Sequence, residues 1–269
     1  MYFSVLMSVY HKDSSDDFKE ALDSLANSML SPDEVVLVED GPLGDELQSV
    51  ISLFSNKLPI KHVKLVKNVG LGKALSIGLR ECSHEWVARF DSDDICHPAR
   101  FQTQVAFIKQ NANIDIIGTA IAEFESNQAD IHAYRKPPVN HNEIVEYAKS
   151  RNPFNHMTVM YRKSKVLEAG SYQDNYLYED YALWVRMIKK GAITANIPEA
   201  LVYARTGNGM EIRRGGLKYV CSEISAQISF YKTGFISEFQ LCKNLLMRVP
   251  VRLLPGDARK SVYRNFLRK

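Results

Sequence analysis

The first half of the chain alternates short apolar runs with segments whose apolar residues recur every three or four positions. That alternation restricts what the chain can become. Phe3 to Val9 is an apolar run, followed at helical spacing by Phe18, Ala21, Leu22, Leu25 and Met29. The β-branched stretch Val35 to Val38 precedes Leu47, Val50, Ile51 and Phe54, and Ile60 to Val66 leads into Leu71, Ala74, Leu75, Gly78 and Leu79. Trp86 to Phe90 precedes Phe101, Val105 and Ile108, and Ile114 to Ile121 reads as a further strand. Strands alternating with helices of this length predict an α/β protein built on a doubly wound, mostly parallel sheet. After about Ala122 the pattern loosens into hairpin-like and loop segments marked by Pro137-Pro138 and Pro153. Helix returns from about Asp180 to Lys190, and from about Gly215 the chain reads as helical, interrupted by Pro250 and Pro255-Gly256. The expected organisation is a sheet domain over 1–210 and a helical, basic extension over 211–269.

At 269 residues, 45% hydrophobic and 24% charged, the chain has the make-up of a soluble globular protein with a full core. The net charge of +3 argues against general nucleic-acid binding. It is unevenly placed: from Leu241 to Lys269 eight basic residues face Asp257 alone, so this tail carries +7 and the remainder −4. Leu245 to Leu254 and Val262 to Arg268 interleave apolar and basic residues, the pattern of helices that lie on anionic membrane surfaces. Packing against the rest of the chain or a partner subunit is the competing use of that tail. Cys82, Cys96, Cys221 and Cys242 show no metal-ligand spacing and read as thiols of a reducing compartment. The apolar N-terminus lacks a basic leader and a small-residue cleavage site, so a strand is expected there rather than a signal peptide. No run of 18 apolar residues offers a membrane span.

Phe90-Asp91-Ser92-Asp93-Asp94-Ile95 places three carboxylates in four residues directly after an apolar strand. Like charges this close repel unless a cation joins them. Mg²⁺ and Mn²⁺ take oxygen ligands from one or two carboxylates and complete their shells with water and substrate phosphates. The carboxyl end of a strand in an open α/β sheet is also where ligands bind. An acidic turn capping the helix that begins near Pro98 is the simpler alternative.

Five motifs occur in order: Ser8-Val9-Tyr10; Val38-Glu39-Asp40-Gly41; Asn68 to Ala74; Asp91-Ser92-Asp93-Asp94; and Tyr178-Glu179-Asp180-Tyr181-Ala182-Leu183-Trp184. Together they resemble the family-two glycosyltransferases, inverting enzymes of the GT-A fold that use nucleotide sugars. The resemblance covers about residues 1–205. More narrowly, the chain is similar to bacterial members that build O-antigen and exopolysaccharide repeat units on a lipid carrier.

The resemblance implies a role for each motif. Asp40 accepts the imide N–H of uracil and Tyr10 stacks on the base, a contact worth about 1–3 kcal/mol. Ser8 and Val9 line the same edge, and Lys73 matches a basic position near the nucleotide. Asn68 either contacts the ligand or caps the following helix. Asp91, with Ser92 beside it, faces ribose or metal water, Asp93 is the direct ligand of Mn²⁺ or Mg²⁺, and Asp94 orients the cluster. Asp180 is the general base of a single inverting displacement. Its alternative is an acid placed at a helix N-terminus by the macrodipole. Trp184 and Arg186 support this helix. His156 is a candidate for acceptor or phosphate contact, and Arg205, Arg213 and Arg214 for clamping a diphosphate.

The chain departs from the family pattern at Glu39, Pro42, Ser8 and His11. It also lacks the later RxH motif, having Arg205-Thr206-Gly207-Asn208, which puts the number of metal ligands in doubt. The reading is a metal-dependent enzyme moving a hexose, galactose or glucose, from a UDP-sugar to the HexNAc of an undecaprenyl-diphosphate-linked acceptor. It would work on the cytoplasmic face of a bacterial membrane, held peripherally by its C-terminal helices, with no nucleic-acid partner. A sugar-nucleotide nucleotidyltransferase would want a Gly- and Arg-rich loop after the first strand, where this chain has Tyr10-His11-Lys12-Asp13. A non-catalytic nucleotide-binding protein at the membrane is the other rival.

Overall fold

The computed structural model describes residues 1–206 and 215–254. The expected alternation is present as β1 (Phe3–Val9), α1 (Ser15–Ala26), β2 (Glu34–Glu39), α2 (Asp45–Phe54), β3 (Ile60–Lys64), α3 (Leu71–Glu81), β4 (Trp86–Arg89) and, after a two-residue strand β5 (Ile95–Cys96), α4 (Arg100–Gln110). Then follow β6 (Ile116–Phe124), β7 (Ile131–Arg135), α5 (His141–Ala148), a 3₁₀ turn (His156–Thr158), β8 (Met160–Arg162), α6 (Lys163–Glu168), α7 (Glu179–Lys189) and β9 (Thr194–Arg205). Two helices complete the described chain, α8 (Leu217–Lys232) and α9 (Glu238–Leu253).

The strands form one sheet in the order β3-β2-β1-β4-β8-β6-β9-β5, with β7 paired to the far half of β6. β1 runs parallel to β2 and β4, β2 to β3, and β6 to β9. β8 lies antiparallel between β4 and β6, so β6 and β9 run in the same direction as β1. The carboxyl ends of β1, β2, β4 and β9 therefore open onto one edge of the sheet, where the motif residues sit.

Every residue of β1 is buried because both faces of the sheet are covered. Phe3, Val5, Met7 and Val9 face a core shared with Phe18, Leu22 and Leu25 of α1, Ile51 of α2 and Phe101 of α4. Leu6 faces the other way, toward Leu75 and Leu79 of α3, Ile144 of α5 and Leu183 and Trp184 of α7. Gly78 lets α3 lie flat on the sheet: a Cβ there would come within 2.4 Å of Val38 Cγ2 and 2.6 Å of Leu6 Cδ1.

The second half holds more regular structure than its sequence pattern suggests. β9 is twelve residues long yet lacks a clean period, because its register against β6 shifts after Thr119. Ile197 pairs with Thr119 and Ala200 with Ala120, which leaves Pro198 and Glu199 as a bulge. Proline has no N–H to give a ladder, and a bulge is where a strand tolerates it. At the other end of the sheet β3 stops at Lys64, and Val66 is exposed.

The C-terminal helices pack on the sheet domain through Tyr219, Ala226 and Phe230 of α8 and Ile236, which meet Tyr178, Tyr181, Ala182 and Val185 around the start of α7. Beside this apolar cluster lies Glu223, with no exposed surface. Its carboxylate receives the Tyr178 hydroxyl, Gln227 Nε2 at 3.2 Å and Arg248 Nη1 at 2.8 Å, and Arg252 Nη2 stands 3.6 Å away. From α9, Asn244 Nδ2 donates to the Lys149 carbonyl at 2.9 Å and Arg248 to the Ser150 carbonyl. Packing is thus one use of this extension. The tail segment 262–268 lies outside the described residues. All four cysteines are free, and no described helix is long and apolar enough to cross a membrane.

Removing one member of a buried ionic network leaves its partners uncompensated and costs about 3–5 kcal/mol. Glu223→Gln is expected to lower the unfolding free energy by about 3 kcal/mol in urea titrations. An unchanged midpoint would show that the network does not hold the extension in place.

Candidate active site

Two turns at the end of β2 are locked together. Gly41 has φ +91°, and a Cβ there would lie 2.7 Å from the Asn68 nitrogen, so only glycine fits. Asp40 is buried, and its carboxylate accepts the N–H of Val69 at 2.7 Å and of Gly70 at 3.1 Å. Asn68 donates its amide to the Asp40 carbonyl at 3.2 Å. Asn68 therefore does not cap α3: the residue before that helix is Gly70, which offers no side chain. Asp40 keeps lone pairs beyond the two backbone bonds, since a carboxylate has about four acceptor positions. Glu39 turns away, accepting Gln48 Nε2 at 2.8 Å and standing 3.1 Å from His62 Nδ1. Lys73 is exposed and pairs with Asp174 at 2.6 Å. Val9 points into the core, and Ser8 lies at the limit of burial on the opposite face.

At the end of β4 the acidic cluster is built around a buried cation. Arg89, 1% exposed, donates to the Phe90 carbonyl and pairs with Asp91. Behind it Arg100 donates to the Arg89 carbonyl at 2.8 Å and lies over the rings of Phe90 and Phe101. Asp13 closes the front: its Oδ2 accepts the Tyr10 N–H at 3.1 Å and the Ser92 hydroxyl at 3.0 Å, fastening the β1 turn to the acidic loop. Burial, with the Asp91 charge in support, raises the Asp13 carboxyl above the usual range.

Asp93 has surface open to solvent but protein on most sides of its carboxyl. That desolvation, with the charges of Asp91, Asp13 and Asp17, pushes its pKa up to about 7. Asp94 is the structural member of the cluster. It is 2% exposed, its Oδ1 accepts the Arg205 N–H at 2.8 Å, and burial together with Asp93 and Asp91 raises its carboxyl further. Arg205 donates Nε to the Asp93 carbonyl at 3.0 Å, pairs with Asp17 at 3.2 Å and with Glu20, and lies over Phe124. Its guanidinium binds protein carboxylates of α1 here. Arg213, Arg214 and the segment Gly207-Asn208 lie outside the described residues.

For a divalent cation the available donors are hard oxygens of Asp91 and Asp93. Among the described residues no set of three His, Cys, Asp or Glu is gathered for a complete protein cage. That donor set fits an ion that takes one or two carboxylates and fills its remaining positions with water and phosphate. Asp94 Oδ2 lies buried behind the two without a hydrogen-bond partner.

The second half of the site starts at α7. Asp180 Oδ2 accepts Asn152 Nδ2 at 2.6 Å and its Oδ1 accepts the Tyr181 N–H at 2.6 Å, so both oxygens are oriented. Burial and the neighbouring Asp180 charge push Glu179 up to about 7. His156 meets the Tyr172 hydroxyl at 3.2 Å, and burial together with the Arg89 charge pushes it down to about 4, leaving it neutral near pH 7. Trp184 is fully buried among Phe154, His156, Tyr161 and Tyr172, a core position. Arg186 donates to the carbonyls of Ala169 at 2.9 Å and Ser171 at 2.7 Å, holding the turn before α7.

Asp180 and His156 also line a groove of about 740 Å³ that extends to β7, the Ser150–Asn152 turn and α9. Tyr10, Asp40, Asp91 and Asp93 do not line it. The residues absent from the sequence expectations are Arg89, Asp13, Asn152 and Glu223. Arg89 carried a legible signal, a lone charge inside an apolar strand, which demands a partner once buried. The other three act through contacts with no local pattern.

Comparison with known proteins bears on the family and the fold. The family model for glycosyl transferase family 2 matches residues 4–170. A protein of Escherichia coli described as UDP-Gal:alpha-D-GlcNAc-diphosphoundecaprenol beta-1,3-galactosyltransferase is 42% identical over 267 residues, covering 99% of this chain and 97% of its own. The amylovoran biosynthesis glycosyltransferase AmsE of Erwinia amylovora is 39% identical over 264 residues, covering 97% of each. Among solved structures, residues 1–349 of Staphylococcus aureus TarS in complex with UDP-GlcNAc share the fold. The TM-score is 0.69 at 20% identity, over 94% of this chain and 72% of that one. The sheet and its helices have the GT-A arrangement, and the chain belongs to glycosyl transferase family 2.

Proposed function

We propose that this glycosyltransferase moves a hexose, galactose in the first instance, from a UDP-sugar to the HexNAc of an undecaprenyl-diphosphate-linked acceptor, with inversion at the anomeric carbon. Residues 1–210 would carry the chemistry and 211–269 brace it. The observation that carries this reading is Asp180, an oriented carboxylate in the wall of a groove that the acidic strand-end residues do not line. The identity to the Escherichia coli galactosyltransferase along nearly its whole length supports the choice of sugar and acceptor.

In this reading the acceptor hydroxyl enters from the groove and attacks the anomeric carbon. The bond from that carbon to the UDP phosphate breaks, and UDP leaves with the bonding pair. Asp180 takes the hydroxyl proton, and Asn152 and the Tyr181 N–H hold its carboxylate in place. Such a base contributes about 10²–10⁴-fold. Glu179, raised to about 7, is partly protonated near neutrality, so the pair does not carry two full charges there. Tyr10 and Asp40 would recognise uracil, with Asn68 and Lys73 nearby. Mn²⁺ or Mg²⁺ bound through Asp93, with Asp91 reaching it by water, would neutralise charge on the departing diphosphate. Placement on the inner face of the membrane is supported by the lipid-linked acceptor and by α9, whose Phe239, Leu246 and Leu253 are exposed beside Lys243.

Asp180→Asn is expected to keep UDP-dependent thermal stabilisation and to lose about 10²-fold or more in turnover. The wild-type product should be β-linked by NMR. An α-linked product would exclude the single displacement, and near-normal turnover of the variant would move the base elsewhere. Asp93→Ala should abolish transfer, as should a chelator on the wild type, with added Mn²⁺ restoring only the latter. Transfer in excess chelator would remove the metal from the reading.

Glu179 gives a pH signature in stability. Its folded pKa of about 7 exceeds the ordinary 4.5, so the folded state holds the proton more tightly than the unfolded one. Its destabilising effect is therefore absent below pH 4.5, grows as pH rises and is complete above about 7. Glu179→Gln should be more thermostable than wild type above pH 7, with the difference disappearing toward pH 4.5. Parallel melting curves across that range would disprove the burial argument.

A further inference from the structure

We infer that the groove beside Asp180 binds the diphosphate of the acceptor, and that Lys136, Arg151 and Lys243 are the groups that hold it. The inference rests on the lipid-diphosphate acceptor proposed above and assigns the residues that recognise it. The groove, about 740 Å³, lies in the range of sites that enclose a small ligand. Its wall carries six Lys and Arg side chains against two carboxylates, Glu123 and Asp180. Arg248 and Arg252 already face Glu223. Lys136, Arg151 and Lys243 are exposed, and no carboxylate pairs with any of them among the described residues.

These three come from separate parts of the chain: just past β7, the turn after α5, and α9. Cations lining one groove from three elements repel one another, and a dianionic group between them reverses the sign of that interaction. A guanidinium can also grip phosphate oxygens in pairs.

The position distinguishes this anion from the donor's diphosphate. The nucleotide side of the molecule, with Tyr10, Asp40, Asp91 and Asp93, contributes nothing to the groove wall, whereas Asp180 does. A sugar attached directly to a diphosphate would place its hydroxyls toward Asp180 while the phosphates meet the cations. Leu177, Met247 and Val251 supply an apolar flank, and Met247 and Leu246 are exposed along α9, where an isoprenoid chain can leave toward a membrane.

The test compares two synthetic acceptors, an alkyl-diphosphate-linked GlcNAc and the alkyl GlcNAc glycoside without the diphosphate. Wild type should prefer the first in kcat/KM. In the Lys136→Ala/Arg151→Ala/Lys243→Ala variant that preference should fall tenfold or more, mainly through the acceptor KM. The donor KM and UDP-dependent thermal stabilisation should not move, and Arg151→Lys alone should retain most of the preference. An unchanged preference in the triple variant overturns the inference and leaves the transferase reading standing. Loss of UDP stabilisation with the acceptor preference intact would assign the cations to the donor and overturn it equally. Wild type that transfers to neither acceptor would instead sink the acceptor reading, and the inference with it.

Discussion

A guanidinium buried at the end of a central strand is the constraint on which the rest of the site depends. Arg89 is 1% exposed, and a charge so placed is tolerated only when it is paired and hydrogen-bonded. Asp91 and the Phe90 carbonyl meet that need on one side. The same charge acts on Asp13 and Asp94 of the acidic cluster and, across the sheet edge, on His156 and Glu179. One cation is thus shared by two carboxylate groups that would otherwise repel each other. It pairs with Asp91 beside a crowded Asp93, and it adds to the burial that pushes His156 down. Its direct contacts are with Asp91 and the Phe90 carbonyl, and its field reaches Glu179 at the start of α7.

The C-terminal helices extend this arrangement mechanically. Glu223 gathers Tyr178, Arg248 and Arg252, and Arg248 reaches on to the Ser150 carbonyl. Two residues later Asn152 donates to Asp180. The extension is therefore joined to the proposed base by a continuous polar path, and Tyr178 directly precedes the Glu179-Asp180 pair. Its helix α9 has two faces with different tasks. The inner one, Asn244 and Arg248, secures the turn that orients Asp180. The outer one leaves Phe239, Leu246 and Leu253 in solvent, where apolar groups gain by meeting a lipid surface.

Much of this architecture was legible in the chain. The period of two against three to four is local, and it located β1 to β4 and α1 to α4 within a few residues. The acidic loop, Asp40 and Tyr10 could be placed together from sequence because parallel strands deliver their carboxyl ends to one edge. The sequence pattern failed where pairing replaced periodicity. β5 is two residues long, β8 three, and β9 carries a bulge, so each exists as a strand only because a neighbour holds it. Arg205 stood out as a phosphate clamp, but Asp17 and Glu20 lie on a helix nearly two hundred residues away and take its guanidinium.

What the sequence by itself determined was the class of sheet, the motifs that meet at its carboxyl edge and the family. Those follow from local periodicity and from motifs whose spacing survives without knowledge of the fold. Only the tertiary structure decided which charges are shared. Arg89 acts on both acid groups, Asn152 sets the direction of Asp180, and cations from three elements line one groove. Each depends on side chains tens of residues apart meeting in a low-dielectric setting, and Coulombic interactions there depend on distance and burial. No local pattern encodes either.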